Sequence, residues 1–260
     1  MSTLSVRPGA SAAILAEGLR KVYGSHEAVK GVDLAVQGGE IVGFLGPNGA
    51  GKTTTIKMLT GLLRPTSGRA AIMGHDIQRE PVQAKAAFGY VPDTPNLYGK
   101  LRGWEFLRFI GRLYRVPTAQ AERRAAELLR LFELSDAASD LVEGYSHGMQ
   151  QKLVLAGALV HDPPVLFLDE PTVGLDPRSA RLIKDLLVQL RDRGTAVFFS
   201  THILEIAERM CDRVAIIDKG EIVTAGTIDE LRGSGTGSLE DIFLRLTGGA
   251  EYAELAEVLA

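Results

Sequence analysis

A short apolar run, Ile41–Leu45, leads straight into a loop with almost no side chains, Gly46, Pro47, Asn48, Gly49, Ala50 and Gly51. Lys52, Thr53 and Thr54 follow at once. Glycine loses more conformational entropy on folding than any other residue, so three in so short a loop need a compensating reason. The spacing Gly-x-x-x-x-Gly-Lys-Thr, between a buried-strand pattern and a helical one, is that of a phosphate cradle. With no Cβ atoms in the way, successive backbone N–H groups can converge on phosphate oxygens. The helix that starts near Lys52 adds the positive end of its dipole. Lys52 is then placed to reach β- and γ-phosphates, Thr53 to ligate Mg2+ through its hydroxyl, and Thr54 to donate a further hydroxyl.

Other segments say what surrounds the loop. The runs VLFLD (165–169), AVFFS (196–200) and RVAIID (213–218) are, like IVGFL (41–45), short and apolar throughout. Such runs suit strands covered on both faces, as in a parallel sheet. By contrast VDLAV (32–36) alternates as a half-exposed strand does, and AILAEGL (13–19) is suited to pair with it antiparallel. Helical periodicity is clearest over 177–194, where Leu182, Leu186 and Leu190 recur beside Ile183 and Leu187. Asp176 fits its N-cap, Pro177 its first position and Gly194 its stop. Residues 94–160 show helical patterns and no convincing buried strand, and read as a helical insertion into the sheet.

The strand VLFLD ends on two carboxylates, Asp169 and Glu170. In open α/β sheets ligands bind beyond the carboxyl ends of the strands, which puts both acids opposite the phosphate loop. Asp169 is expected to partner Mg2+ through water, and Glu170 to polarise an attacking water.

Composition removes several alternatives. A net charge of -3 gives no basic excess for nucleic acid. A lone cysteine, Cys211, allows no internal disulfide and is expected to be a partly buried small residue. The most apolar stretch is broken by His161, Asp162, Pro163 and Pro164, well short of the ~20 apolar residues a membrane span needs. Work at a membrane would therefore be done from its aqueous side. Residues 1–12 read as a loose tail, and RGSGTGS (232–238) as a linker.

In their order and spacing these segments resemble the ATP-binding subunit of an ABC transporter, over about residues 14–232. YSHGMQQK (145–152) occupies the place of the family's LSGGQ signature, GLDP (174–177) resembles its D-loop, and STH (200–202) its switch-histidine motif. Tyr23 stands where the family stacks an aromatic ring on adenine. The resemblance implies an α/β fold: a P-loop NTPase (RecA-like) with a mostly parallel sheet core. An N-terminal antiparallel β subdomain and an inserted helical subdomain at 94–160 would complete a domain spanning 13–232. Residues 233–260 would form a linker and short C-terminal helical tail.

The resemblance also implies that two copies close head to tail around two molecules of ATP, with Mg2+. Lys52, Glu170 and His202 would serve catalysis in one copy, and Ser146 and Gly148 of the other would contact the γ-phosphate, with Asp176 close by. Two positions depart from the pattern. His147 and Met149 replace the usual Gly and Gln of the signature, and Asp93 stands at the Q-loop position in place of Gln or Glu. Ser146 can still cap the helix behind it. Asp93, one methylene shorter than Glu, would need a bridging water or a loop shift to reach Mg2+ or the nucleotide. The implied role is ATPase of a transporter, with a separate membrane permease as partner and attachment to the cytoplasmic face of the membrane through it. The short tail, YSHGM and LEDIFLRLTGG favour export. An importer ATPase and a soluble non-transport ABC ATPase are the alternatives.

Of the remaining histidines, His26, His75 and His161 show no metal-ligand spacing and are expected in surface or loop positions. Arg108, Arg112, Arg115, Arg123 and Arg124 are interleaved with acids and are expected to form a solvated face.

Overall fold

A computed structural model describes residues 12–233 and 238–248. It opens with a long hairpin, β1 (Ala12–Tyr23) and β2 (His26–Gln37), followed by β3 (Ile41–Leu45) and α1 (Lys52–Leu59). Then come β4 (Ser67–Ile72), β5 (His75–Asp76), α2 (Pro81–Ala86) and β6 (Phe88–Val91). A helical section holds α3 (Gly103–Leu113), α4 (Thr118–Leu131) and α5 (His147–Leu159). Strands and helices then alternate through β7 (Val165–Asp169), α6 (Pro177–Asp192), β8 (Ala196–Thr201), α7 (Leu204–Met210) and β9 (Arg213–Asp218). The described chain closes with β10 (Glu221–Gly226), α8 (Ile228–Arg232) and α9 (Leu239–Thr247). Most of the expected tail and linker lies outside the described residues; Ala12, expected in the tail, belongs to β1, and Arg232, expected in the linker, closes α8.

Among the described residues there are two sheets. One is antiparallel, in the order β2-β1-β4-β5. The other runs β10-β9-β3-β8-β7-β6 and is parallel apart from β10 at its edge. The unbroken apolar runs are explained by what covers this second sheet. Phe44, Phe167 and Phe198 face the antiparallel sheet and α1, packing with Ile14, Leu19, Leu34 and Ile56. The alternate residues Ile41, Leu166, Leu168, Val197 and Phe199 face the other way, onto Leu153 of α5 and Ile183 and Leu187 of α6. Both faces are thus dry, and each strand needs an apolar residue at every position.

Helix α6 begins as its sequence indicates: Asp176 accepts from the N–H groups of Arg178 and Ser179, both at 3.0 Å. Its deepest stripe is Ile183 and Leu187, with Leu182, Leu186 and Leu190 flanking it half-buried. The helical section at 94–160 contains no strand, only an isolated bridge between Arg102 and Leu141. Strand β6, only four residues long, is shorter than the apolar runs read as strands and is absent from the sequence reading. A Cβ at Gly89 would lie 2.4 Å from the Ala158 carbonyl oxygen, so the glycine permits the close approach of α5.

One surface expectation needs correcting, and one histidine in its expected loop position has unexpected partners. Arg124 is only partly solvated; its guanidinium donates to the Leu159 carbonyl and to Asp162 Oδ1, each at 2.9 Å, and so ties α4 to the end of α5. His161 is in a turn but half-buried, stacked on Tyr114 with ring centroids 3.6 Å apart. Its Nε2 lies 3.1 Å from the Phe88 carbonyl, which can only accept, so the proton is on Nε2. Nδ1 is buried and without a partner, and burial holds the ring's pKa down at about 4.

A protonated His161 would therefore need a second acceptor that the fold lacks. The folded-state pKa of about 4 lies below the ordinary 6.5, so the unfolded chain takes up the proton first as pH falls. The stability that depends on neutral His161 is present above 6.5 and lost progressively toward about 4. His161→Phe keeps the stack and removes the titration, at a constant cost for the orphaned Phe88 carbonyl of about 1–3 kcal/mol. Urea unfolding across that pH range should show a flatter curve for the variant. Parallel loss of stability in parent and variant would rule out His161 as the source.

Candidate active site

The carboxyl ends of β3, β6, β7 and β8 lie on one edge of the parallel sheet, and the loops that follow them gather there. Register sets the partners. Asp169 at the end of β7 is opposite Ser200 of β8, and Leu45, last residue before the glycine loop, is opposite Thr201.

The loop keeps its shape because two of its glycines have no room for anything larger. At Gly46 a Cβ would lie 2.4 Å from the Ile217 carbonyl oxygen. Gly51, with φ 106°, caps α1 in a left-handed conformation, and a Cβ on it would lie 2.8 Å from the Ala28 carbonyl oxygen. Lys52 is buried and curls back over the loop, its Nζ donating to the carbonyls of Gly46 at 2.7 Å and Pro47 at 3.2 Å. Burial lowers its pKa, against the pull of the Glu170 and Asp169 carboxylates, which favour the charged form.

Opposite Lys52 are the two acids. Asp169 is fully buried, its Oδ1 accepts from the Ser200 hydroxyl, and its Oδ2 has no partner. Burial pushes its carboxyl pKa up, with the hydroxyls of Ser200 and Thr53 pulling the other way. Glu170 has φ 51°, a left-handed conformation that costs a non-glycine residue about 1–3 kcal/mol and persists only where neighbours enforce it. Those neighbours are named: its N–H donates to the Ser200 carbonyl at 3.2 Å, and its Oε1 lies 3.0 Å from His202 Nδ1. Glu170 Oε2 is again buried with no partner.

Two buried carboxylate oxygens without donors, beside a buried lysine, are an unfinished electrostatic arrangement. A hard cation with its waters and a phosphate group would complete it, and the hydroxyl of Thr53 with Asp169 supplies the oxygen donors such a cation prefers. No group of three or more His, Cys, Asp or Glu side chains suited to a metal occurs among the described residues.

An open cleft of about 400 Å³ joins Tyr23, Asn48, Gly49, Gly51, Lys52, Thr53, Thr54, Asp93 and Glu170. Tyr23 is half-exposed, with Lys21 Nζ 5.1 Å from its ring centroid, leaving one aromatic face for a planar ligand. Asp93 is exposed at the cleft, its Oδ1 accepting from the Thr94 N–H at 2.7 Å, and its charge contributes to raising the pKa of Asp169. His26, expected in a surface or loop position, is exposed and lines the cleft as well. Ser146, Gly148 and Asp176 do not line it. Ser146 caps α5 by accepting from the Met149 N–H at 3.3 Å, and Asp176 is committed to its own cap on α6. The sequence reading leaves Ser200 without a role of its own. Its signal was a hydroxyl ending the apolar run of β8 next to the acid ending β7.

Comparison with known proteins places this geometry among relatives. The family pattern described as ABC transporter matches residues 29–173. The chain is 42% identical over 248 residues to the daunorubicin resistance ATP-binding protein DrrA3 of Streptomyces coeruleorubidus, covering 95% of this chain and 78% of the relative. A solved ATP binding subunit of an ABC transporter superposes with a TM-score of 0.86 at 34% identity, over 90% of this chain and 99% of that one. The ATP-binding cassette MJ0796, solved as a dimer in a post-hydrolysis state bound to ADP and Pi, superposes at 0.76 with 28% identity, over 82% of this chain and 98% of that one.

Proposed function

The chain belongs to the ABC transporter family, as one of its ATP-hydrolysing subunits, and from that premise we propose that it drives export through a separate membrane permease as a head-to-tail pair of identical copies. The observation that carries the catalytic assignment is the pair of partnerless oxygens, Asp169 Oδ2 and Glu170 Oε2, facing buried Lys52 at the sheet edge.

The residues divide the work. Backbone N–H groups of 46–51 and Lys52 Nζ bind the phosphates, with Lys52 leaving the Gly46 and Pro47 carbonyls to do so. The Tyr23 face takes the adenine. Thr53 and Asp169, with Asp93 nearby, would hold Mg2+, which when bound would neutralise charge on the phosphate oxygens. Glu170 Oε2 accepts a hydrogen bond from water and orients it in line with the γ-phosphorus. As the new P–O bond forms, the bond from that phosphorus to the bridging oxygen breaks, and water's proton passes toward Glu170. His202 keeps Glu170 aimed through Oε1. Most of the acceleration in such a site comes from positioning and charge neutralisation.

Ser146 and Gly148 stand apart from the cleft of their own chain, which supports their meeting the nucleotide of a second copy. The dimeric state of the MJ0796 cassette supports the same arrangement. No helix among the described residues is long and apolar enough to cross a membrane, so attachment to the cytoplasmic face is assigned to the permease. An apolar cleft of about 320 Å³, lined by Phe88, Tyr90, Tyr98, Phe106, Ile110 and Tyr114, is the place we assign to it. Export over import is supported by the YSHGM and LEDIFLRLTGG segments and by a relative, 41% identical over 213 residues, that is named a Nod factor export ATP-binding protein.

Phosphate release by the purified chain with Mg-ATP, and its stimulation on reconstitution with the permease, test this reading. Asp93 tests the coupling within it. Asp93→Ala should lower permease-stimulated turnover about tenfold while nucleotide affinity changes little, because Asp93 touches the site from the loop after β6. Asp93→Gln, which restores the usual side chain, should be tolerated. Normal stimulation of the alanine variant would make position 93 an ordinary loop residue.

A further inference from the structure

His147 stands where the signature usually has glycine, and its ring lies against the loop that leaves the catalytic glutamate. A Cβ built on Gly174 would be 3.1 Å from His147 Cδ2 and 3.2 Å from its Nε2. One residue on, a Cβ at Gly148 would lie 3.6 Å from Leu175 Cδ2. The first turn of α5 and the 174–175 segment are therefore in contact within one chain.

What that segment is tied to gives the contact its meaning. Upstream, the Val173 N–H donates to the Glu170 carbonyl at 3.2 Å, a turn that starts on the strained φ of Glu170. Downstream, Asp176 is fixed by three hydrogen bonds at the cap of α6, from the Arg178 and Ser179 N–H groups and the Ser179 hydroxyl. Gly174, between these anchors, has φ 74° and no side chain of its own to brace it. The His147 ring supplies the missing brace from the α5 side.

We infer that His147 is a positioning residue that links the two nucleotide sites of the pair through this contact within one chain. The inference rests on the head-to-tail reading above. There, the start of α5 meets the nucleotide held by the other copy, while Glu170 attends the nucleotide held by its own. A shift of α5 on engaging the partner's γ-phosphate is passed by the ring to Gly174, and by the turn at 170–173 to Glu170. With glycine at 147, nothing at that position would reach Gly174.

The test replaces His147 by the usual glycine in the full chain. His147→Gly should lower kcat about tenfold, the scale of a small misplacement of a catalytic group, with KM for ATP within about twofold of the parent. The dependence of rate on ATP should be cooperative in the parent and lose that cooperativity in the variant. His147→Phe keeps a ring over Gly174 and should recover most of the rate. Gly174→Ala provides a readout independent of activity: its Cβ meets the ring only when His147 is present. The fall in unfolding midpoint caused by Gly174→Ala should shrink when His147→Gly is added. Three results would overturn the inference: unchanged kinetics in His147→Gly, a raised KM with unchanged kcat (direct nucleotide binding), or additive effects of the two substitutions on unfolding. A parent that hydrolyses no ATP would instead bring down the functional reading, and this inference with it.

Discussion

Lys52→Ala should reduce ATP turnover by at least about a hundredfold and weaken Mg-ATP binding, while leaving the fold intact. The reasoning starts from the buried ammonium, whose partners in the free chain are two backbone carbonyls of the loop. These are stand-ins for phosphate oxygens, since carbonyls carry only partial charge. Each hydrogen bond from a charged donor to phosphate contributes about 1.5–3 kcal/mol, and two of them account for that loss or more. Truncation also leaves Asp169 and Glu170 facing the phosphates without a compensating cation from the protein, which adds repulsion. The loop itself should persist, because its shape is set by Gly46 against Ile217 and Gly51 against Ala28 rather than by the lysine. Nucleotide titration, phosphate release and thermal unfolding of the purified variant decide the matter. Unchanged hydrolysis would remove the basis of the catalytic assignment.

Glu170→Gln should stop hydrolysis and at the same time stabilise the pair. The amide can still accept from His202 and hydrogen-bond water, but it cannot take a proton, and loss of a positioned base costs typically about a hundred- to ten-thousandfold. One negative charge beside the γ-phosphate also disappears, so a closed, ATP-loaded pair is no longer opposed by carboxylate–phosphate repulsion. The variant should run as a monomer without nucleotide and as a dimer with Mg-ATP, measured by light scattering after size exclusion. Ser146→Arg added to it should abolish the dimer, because the bulky side chain would enter the space meant for the other copy's phosphate. A variant that hydrolyses ATP normally, or stays monomeric even beside the permease, would contradict the role given to Glu170.

How much of this was readable beforehand depends on how local the determinant is. The parallel core was legible because strands dry on both faces must be apolar at every position, as Phe167 and Leu168 show by facing opposite layers. The glycine loop and the acids after β7 were legible because their chemistry restricts residue type at fixed spacing. Strand β6 was not, since four residues make too short an apolar run, and its Gly89 is fitted to Ala158 of α5, 69 residues further along. The partial burial of His161 in its turn was not legible for a similar reason: Tyr114 and Phe88, which cover it, are remote in sequence. The role of Ser200 depends on register between β7 and β8, and the contact of His147 with Gly174 joins two motifs that read as separate. Asp176 was legible as a cap, and the cap consumes its carboxylate.

The C-terminal helix has a practical consequence. Leu239 and Ile242 of α9 are buried in one cluster with Leu45, which precedes the phosphate loop, and with Ala207 of α7, the helix that begins two residues after His202. The end of the described chain is thus a handle on the histidine side of the catalytic centre. A fused domain, purification tag or bound regulator that tugs on α9 works on the lever that aims His202 at Glu170.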